Sequence, residues 1–509
     1  MSYTLRNLIF FWWLTSAHVL YAQSYFNKRV DYGNVPEIGY NVLIKDSGYV
    51  VTGLVSDISG RGGIGWLELD AAGTINKRIR LGSERYIFLP GLSGSMVESS
   101  DTGYFLYGCA IDTTGNQDAM LFRFSSEGDT MWTRRFGDDF AQKGYLCRQT
   151  PDKYLFLLGQ STTDDPSGDL WLIKADSFGN IIWEKTYRSS LNTYEGEGLY
   201  GEGAVLELTH DGGVIMGGTT GAGYPYIGLG ADMWVVKVDA SGNIQWQRKL
   251  GNSYNDGLSS ILCTADTNYL IVGAVGDSIH PYYSFLRDAE LFIARLDNAG
   301  NTVWEKKIEG NYGYEGAFFC YSISSSANTF LIAGPSENDS YLMKLNFDGD
   351  IIWSKYHDFL KGELSSNLIF NIAKTVDNGI VATGVLLAAL PDSIGPPPWR
   401  QDLWALKLDS LGCAYPGCEL AATGIGEEES LSGLRVYPNP TSGSVTIEVE
   451  APAVGRVLIT DLTGKIIRQV DTPPGFSVLE FGYPLAAGTY LCVLITDGTR
   501  HSSQLLIVQ

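Results

Sequence analysis

Reactive side chains are sparse in this 509-residue sequence, and their spacing excludes most of the chemistry they could support. The run GCAYPGC places Cys413 and Cys418 at the two ends of a short loop. In an exported protein that pattern leads us to expect a disulfide between them. Zinc is not expected there, because no second Cys or His pair stands at ligand spacing. Cys147, Cys263 and Cys320 lie in apolar runs (YLCRQ, ILCTAD, FFCYS), where a small buried thiol is the reading. His210, His280, His357 and His501 are scattered, so no metal is expected from them. Asp164, Asp165 and Asp169 in DDPSGD have the right ligand type for calcium but lack the spaced loop of a calcium motif, and read as a solvated turn. GEGLYG at 196 matches GxGxxG by letter only: no helix follows, and Glu197 would oppose a pyrophosphate. No GxSxG, Walker A or HExxH pattern occurs, and no cofactor is expected.

The bulk composition narrows the partners. Lys plus Arg total 36 against 57 Asp plus Glu, a formal charge of −21 that repels phosphate backbones and anionic membranes. Nucleic-acid binding is therefore not expected. Hydrophobic residues at 44% supply enough material for real cores, and 60 glycines with 29 tyrosines point to β-structure with many tight turns.

Those turns recur. DLWLIKADSFGNIIWEKTY at 169 is repeated as DMWVVKVDASGNIQWQRKL at 232, ELFIARLDNAGNTVWEKKI at 290 and SYLMKLNFDGDIIWSKYH at 340. Seven copies align on Gly73, Gly128, Gly179, Gly242, Gly300, Gly349 and Gly412, spaced by about 49 to 63 residues. Three residues earlier stand Asp70, Ser125, Asp176, Asp239, Asp297, Asn346 and Asp409, which with the glycine specify a type I turn followed by a bulge at a hairpin tip. Trp132, Trp183, Trp246, Trp304 and Trp353 follow four residues after their glycines. Upstream of each hairpin a short apolar run ends in glycine, for example GYVVTG at 48 and GIVATG at 379. Each unit thus holds four strands, and the expected fold is all-β: a seven-bladed β-propeller. The last copy has Pro416 where a tryptophan should be, whereas YFNKRVDYGN resembles WEKKIEGNYG with Phe26 at the tryptophan position. Residues 25–33 are therefore expected to supply the outer strand of the seventh blade and close the ring.

Residues present in every unit belong to the scaffold, because a site is made once. Lys174, Lys237, Lys344 and Lys407, with Arg123 and Arg295 equivalent and Glu68 as the exception, read as charge pairs or snorkelling stems at the blade surface. The repeated tryptophans read as packing between blades. Singular residues lie in long loops between the second and third strands, GAGYPYIGLGAD at 221, DSIHPYYSFLRDAE at 277 and LLAALPDSIGPPPWRQD at 386, and in links between blades at 187 and 310. Trp399, Tyr194, Tyr200, Tyr224, Tyr226, Tyr282 and Tyr283 are the candidate binding residues, aromatic platforms for a saccharide or peptide; the alternative is that they merely cover the rim.

The two ends concern delivery. Arg6, the apolar run from Leu8 to Leu14 and small residues to Ala22 form a secretory signal pattern over residues 1–22, too short for a membrane span; the protein is not expected to be integral to a membrane. The propeller is assigned to 24–420 and a linker, AATGIGEEESLSG, to 421–434. Residues 435–509 alternate like a small immunoglobulin-like β-sandwich. VYPNPTSG at 436, LTGKII at 462, AGTYLCVLIT at 487 and the closing LLIVQ make this segment resemble the type A C-terminal sorting domain of type IX secretion. The resemblance places Tyr437, Pro438, Asn439, Pro440, Gly464, Gly488 and Tyr490 in the sorting motif. It implies export through both membranes to the cell surface or medium, with the secretion machinery as partner. The propeller is then cargo, a binding or scaffold module for glycan or surface protein. The rival is a hydrolase or lyase acting on glycans with paired carboxylates in the channel, and a quinoprotein dehydrogenase is a weaker third.

Overall fold

The computed structural model describes residues 24–33, 35–46, 48–91, 93–137, 141–162, 169–188, 197–222, 232–252, 256–276, 290–308, 321–326, 329–336, 339–360, 365–389, 399–414, 434–437, 445–451, 454–461, 465–481, 485, 488–496 and 499–508. The chain forms two compact units, 1–415 and 416–509. Among the described residues every regular element is a strand.

Among the described residues the first unit contains seven antiparallel sheets in chain order, within residues 37–81, 87–136, 142–187, 197–250, 256–308, 321–357 and 365–408; they are called sheets 1 to 7. In five of them consecutive strands pair in simple succession. Sheet 7 takes its fourth strand from the far end of the sequence: Phe26–Val30 pairs with Trp399–Leu408, matching Phe26 to Lys407 and Val30 to Leu403. Sheet 2 departs from the four-strand expectation. Its first strand is broken into Ile87–Pro90 and Met96–Glu98, both paired with Tyr104–Ile111. Pro90 has no N–H for the ladder, Gly94 turns the chain at φ +81°, and the Oδ1 of Asn41 accepts the N–H groups of Gly94 (2.9 Å) and Met96 (3.3 Å).

The cores lie between sheets rather than within them. The second and third strands are apolar on both faces, as in Leu155–Ser161 and Asp232–Val238, because each sheet is covered on both sides. Seven separate clusters each join one sheet to the next, and one of them joins sheet 7 to sheet 1 through Phe26, Val30, Leu403, Val42 and Leu67. The succession therefore closes on itself, a propeller-like arrangement in which no sheet lacks a neighbour.

The turn glycines show how neighbouring sheets fit. All seven have φ between +72° and +82°, where an L side chain is strained, and each N–H closes the turn on the residue three before it. Each also carries the preceding sheet's aromatic ring against its Cα: a Cβ on Gly242 would lie 2.8 Å from Trp183, on Gly300 2.7 Å from Trp246, and on Gly412 2.7 Å from Trp353. Phe26 does the same for Gly73 at 2.6 Å, so the imported strand performs the tryptophan's packing role across the seam. Sheet 1 has no tryptophan on its fourth strand, and Trp66 from its third strand meets Gly128 instead.

In the second unit, Leu434–Tyr437, Val445–Ala451 and Gly475–Phe481 form one sheet, and Gly455–Asp461, Ile466–Thr472, Gly488–Thr496 and Thr499–Val508 another. Val436, Ile447 and Val449 of the first share a core with Val457, Ile459, Tyr490 and Cys492 of the second, which makes this unit a two-sheet sandwich.

Candidate functional site

Antiparallel order gives every sheet two distinct edges. One edge carries the hairpin tips between first and second and between third and fourth strands. The other carries the connections between second and third strands and the links to the next sheet.

The tip edge is saturated with its own hydrogen bonds. Asp176 Oδ1 accepts the N–H groups of Phe178 and Asn180, both at 2.9 Å; Asp70, Asp239 and Asp297 repeat the pattern. These N–H donors hold the four carboxyls below the usual range. The recurring basic positions also point to this edge. Lys237 bonds Asp211 at 2.8 Å, Lys407 bonds Asp377 at 3.0 Å and Arg123 bonds Asp101 at 2.8 Å, while Arg295 bonds Asp266. Sheet 1 reverses the signs, with Lys45 on Glu68 at 3.1 Å, which accounts for the exception. The surface location expected for these lysines is corrected for two of them: Lys237 is 1% and Lys407 0% exposed, because neighbouring sheets cover the stems and only the partner carboxylate reaches outward. Lys174 differs again, lying over the rings of Tyr154 and Phe156.

The other edge begins with acids. Asp118, Asp232 and Glu290 at the starts of third strands, and Asp402 three residues into one, pair with a cation on the fourth: Arg135 at 3.0 Å, Lys249, Lys307 at 3.6 Å and Arg29 at 2.8 Å respectively. Asp169, considered above as a calcium ligand, is bridged by Arg188 at 2.8 and 3.1 Å; Asp164 and Asp165 lie outside the described residues. Facing this row, the first strand of the following sheet presents a buried polar residue two positions before its bulge: Gln142, Asp256, Asn367 and Glu37. Where this residue is an amide, Asn367 donates toward Asp339 at 3.5 Å. Where it is an acid, two carboxyls confront each other. Burial, with Asp232 nearby, pushes Asp256 up to about 7, although the N–H groups of Asn252 and Gly276 oppose the shift. Burial likewise pushes Glu37 up to about 7, against the Tyr32 N–H and reinforced by Asp31 and Asp402. These carboxyls meet between adjacent sheets, and at each junction a cation pairs with one of them.

A second aromatic set escaped the sequence reading. Trp171, Trp234 and Trp404 lie two residues after the edge acids, buried, and their indole N–H groups donate to Glu184, Gln247 and Asn27 at 3.1, 3.1 and 2.6 Å. The signal was present in DLW, DMW, ELF and DLW at 169, 232, 290 and 402. A groove of about 470 Å³ beside Trp171 is lined by Arg135, Gln142, Ser161, Glu184 and Lys185.

The described strands that flank the predicted aromatic segments end or begin at the same edge. The second strand of sheet 4 ends at Ala222 and the third begins at Asp232; in sheet 5 the bounds are Val275 and Glu290, and in sheet 7 Ala389 and Trp399. Trp399 opens Trp399–Leu408, and Tyr200 lies in Glu197–Leu208. Tyr194, Tyr224, Tyr226, Tyr282 and Tyr283 lie outside the described residues, as do Pro438, Asn439, Pro440, Gly464, Cys320 and Cys418. Cys413 is disulfide-bonded, and its partner is outside the described residues. Cys147 is buried with its thiol pushed up to about 12 by burial, and Cys263 is half-buried. Tyr437 ends the first described strand of the sandwich, Gly488 opens Gly488–Thr496, and Tyr490 is in its core. No helix of the described residues is long and apolar enough to cross a membrane.

Residues 435–509 match the secretion system C-terminal sorting domain. No curated protein matches the chain. Among solved structures, the chain is similar to a polysaccharide lyase described as an ulvan lyase of a new family (9% identity, 80% of this chain and 100% of that one, TM-score 0.48). It is also similar to polysaccharide lyase Uly1 (10%, 78% and 94%, 0.44) and to a Bacteroides caccae protein of unknown function (10%, 63% and 94%, 0.35).

Proposed function

We propose that this chain, which its sorting domain directs through the type IX secretion system to the outer cell surface or the medium, is a binding module built as a seven-bladed β-propeller. Residues 24–420 are the propeller, residues 1–22 a cleaved signal peptide, and 435–509 an immunoglobulin-like sandwich read by the secretion machinery. The observation that supports the reading is the inequality of the two edges. Tight turns close the tip edge and use its polar groups, whereas the long Tyr-rich segments and Trp399 all depart from the edge that begins with Asp169, Asp232, Glu290 and Asp402. Aromatic faces stack on sugar rings and carboxylates accept their hydroxyls, so a neutral saccharide suits this edge better than a polyanion.

Arrays of bacterial and plant glycans, probed with the full secreted chain, test this by reading both retention and product formation. Retention without product is expected, with Trp399→Ala or the double variant Tyr282→Ala/Tyr283→Ala weakening it at least about tenfold, the loss of one or two stacked rings. Retention unchanged in both variants would remove this edge as the site. Turnover of a retained glycan would replace the binding reading with an enzymatic one.

A further inference from the structure

The seam between sheets 7 and 1 adds one acid to the arrangement found at the junction of sheets 4 and 5. At the junction of sheets 4 and 5 two carboxyls meet, Asp232 and Asp256, beside Lys249. At the seam a third acid joins: Asp31, just past the imported strand, stands with Glu37 of sheet 1 and Asp402 of sheet 7, one carboxyl oxygen from each lying within 4.8 Å of the others. Three parts of the chain that are distant in sequence converge there: the N-terminal closing strand, the first strand of the first sheet and the third strand of the last. Glu37 is 0% and Asp402 2% exposed. Asp31 Oδ1 accepts the Gly33 N–H at 2.6 Å, Asp402 Oδ2 pairs with Arg29, and Glu37 Oε1 accepts the Tyr32 N–H. Glu37 Oε2 is buried and has no hydrogen-bond partner among the described residues.

A buried carboxylate oxygen without a donor is costly, and carboxyls brought this close together repel one another. A cation answers both problems. Carboxylate oxygens gathered within 4.8 Å of one another leave room for one cation between them, and a set of carboxylates completed by water suits calcium, which accepts flexible geometry, better than magnesium, which demands near-ideal octahedral geometry. We propose that Asp31, Glu37 and Asp402 bind one calcium ion that fastens the N-terminal strand and closes the ring. The calcium reading does not rest on a saccharide binding at the loop edge. Its three protein carboxylates, with water completing the shell, correspond to the weak affinity of extracellular calcium modules, about 10⁻⁴–10⁻³ M.

The experiment uses the full secreted chain stripped with chelator, then titrated with calcium or magnesium while calorimetry reads stoichiometry and thermal unfolding reads stability. One calcium per chain is expected, with a midpoint that rises with calcium and far less with magnesium. Asp31→Asn should weaken calcium binding at least about tenfold and remove most of that rise. Glu37→Gln should do the same while still folding, since Gln142 already occupies the corresponding place in sheet 3. Asp232→Asn, at the two-acid junction, should leave calcium affinity unchanged. The proposal is overturned if the parent takes up no calcium at 10 mM, a level about ten times the weak limit of such modules, or if folded Asp31→Asn binds calcium as tightly as the parent.

Discussion

Asp176 and Asp256 are the same residue type placed at opposite edges of two sheets, the third and the fifth. Asp176 at a hairpin tip receives two backbone N–H groups and ionises more readily than a free carboxyl; Asp256, buried opposite Asp232, holds its proton to about neutrality. The tip edge repeats one solution for each polar group, and the result is rigid. The loop edge accepts residues that weaken the scaffold, such as facing acids, and from it come the segments that vary between sheets. Stability is thus concentrated at one edge, which frees the other to change.

The largest test of that contrast is Asp377→Ala. It strands the ammonium of fully buried Lys407 and should cost about 3–5 kcal/mol in denaturant unfolding. Asp211→Ala removes the equivalent partner of Lys237, but Asp211 is 43% exposed, so water can replace it and about 1–2 kcal/mol is expected. Equal losses would mean that the two pairs are not graded by exposure.

Gly242→Ala comes next. It forces an L residue into φ +77° and drives a methyl into Trp183, for about 3 kcal/mol, whereas Gly60→Ala at φ +81° meets no atom within 4 Å and should cost about 1 kcal/mol. If both cost the same, the glycine is required by the turn alone and not by the neighbouring sheet.

On the loop edge the expected sign reverses. Asp256 has a folded pKa of about 7, above the unfolded carboxyl value, so the unfolded state loses its proton first and stability falls as pH rises from about 4 to 7. Asp256→Asn, which installs the amide found at Asn367, should unfold less readily than the parent at pH 8 and show a flatter stability profile over that interval. A profile parallel to the parent's would break the assignment.

The smallest effect concerns His357, at the end of a fourth strand on the same edge. It is buried, its Nε2 lacks a partner among the described residues, and burial together with Lys355 lowers its pKa to about 4. The unfolded chain therefore takes up a proton first as pH drops below about 6.5, and stability declines down to about 4. His357→Phe should lessen that decline in thermal melts at pH 5 relative to pH 7.

Much of this was readable from the residues. Asp, Asn or Ser three residues before a glycine located all seven of these tips, because a tip is made within one hairpin and its geometry is local. Phe26 in a WEKKIEGNYG-like context revealed the strand exchange, since that strand obeys the same packing rule as its relatives. The buried lysines were not readable: a lysine at a strand position reads as a surface stem until the next sheet is placed over it. Nor were the facing acids, since Glu37 and Asp402 become neighbours only when the ring closes, and a string of letters carries no record of which distant strands will touch.

The sequence by itself determined the strands, the tips, the repeat and the sorting tail, all of which rest on periodicity and on contacts among residues close along the chain. Only the tertiary structure decided which carboxyls confront each other, which lysines lose water, and that Asp31, Glu37 and Asp402 converge at the seam. Desolvation and charge coupling depend on distances through space, and these are set when neighbouring sheets pack together.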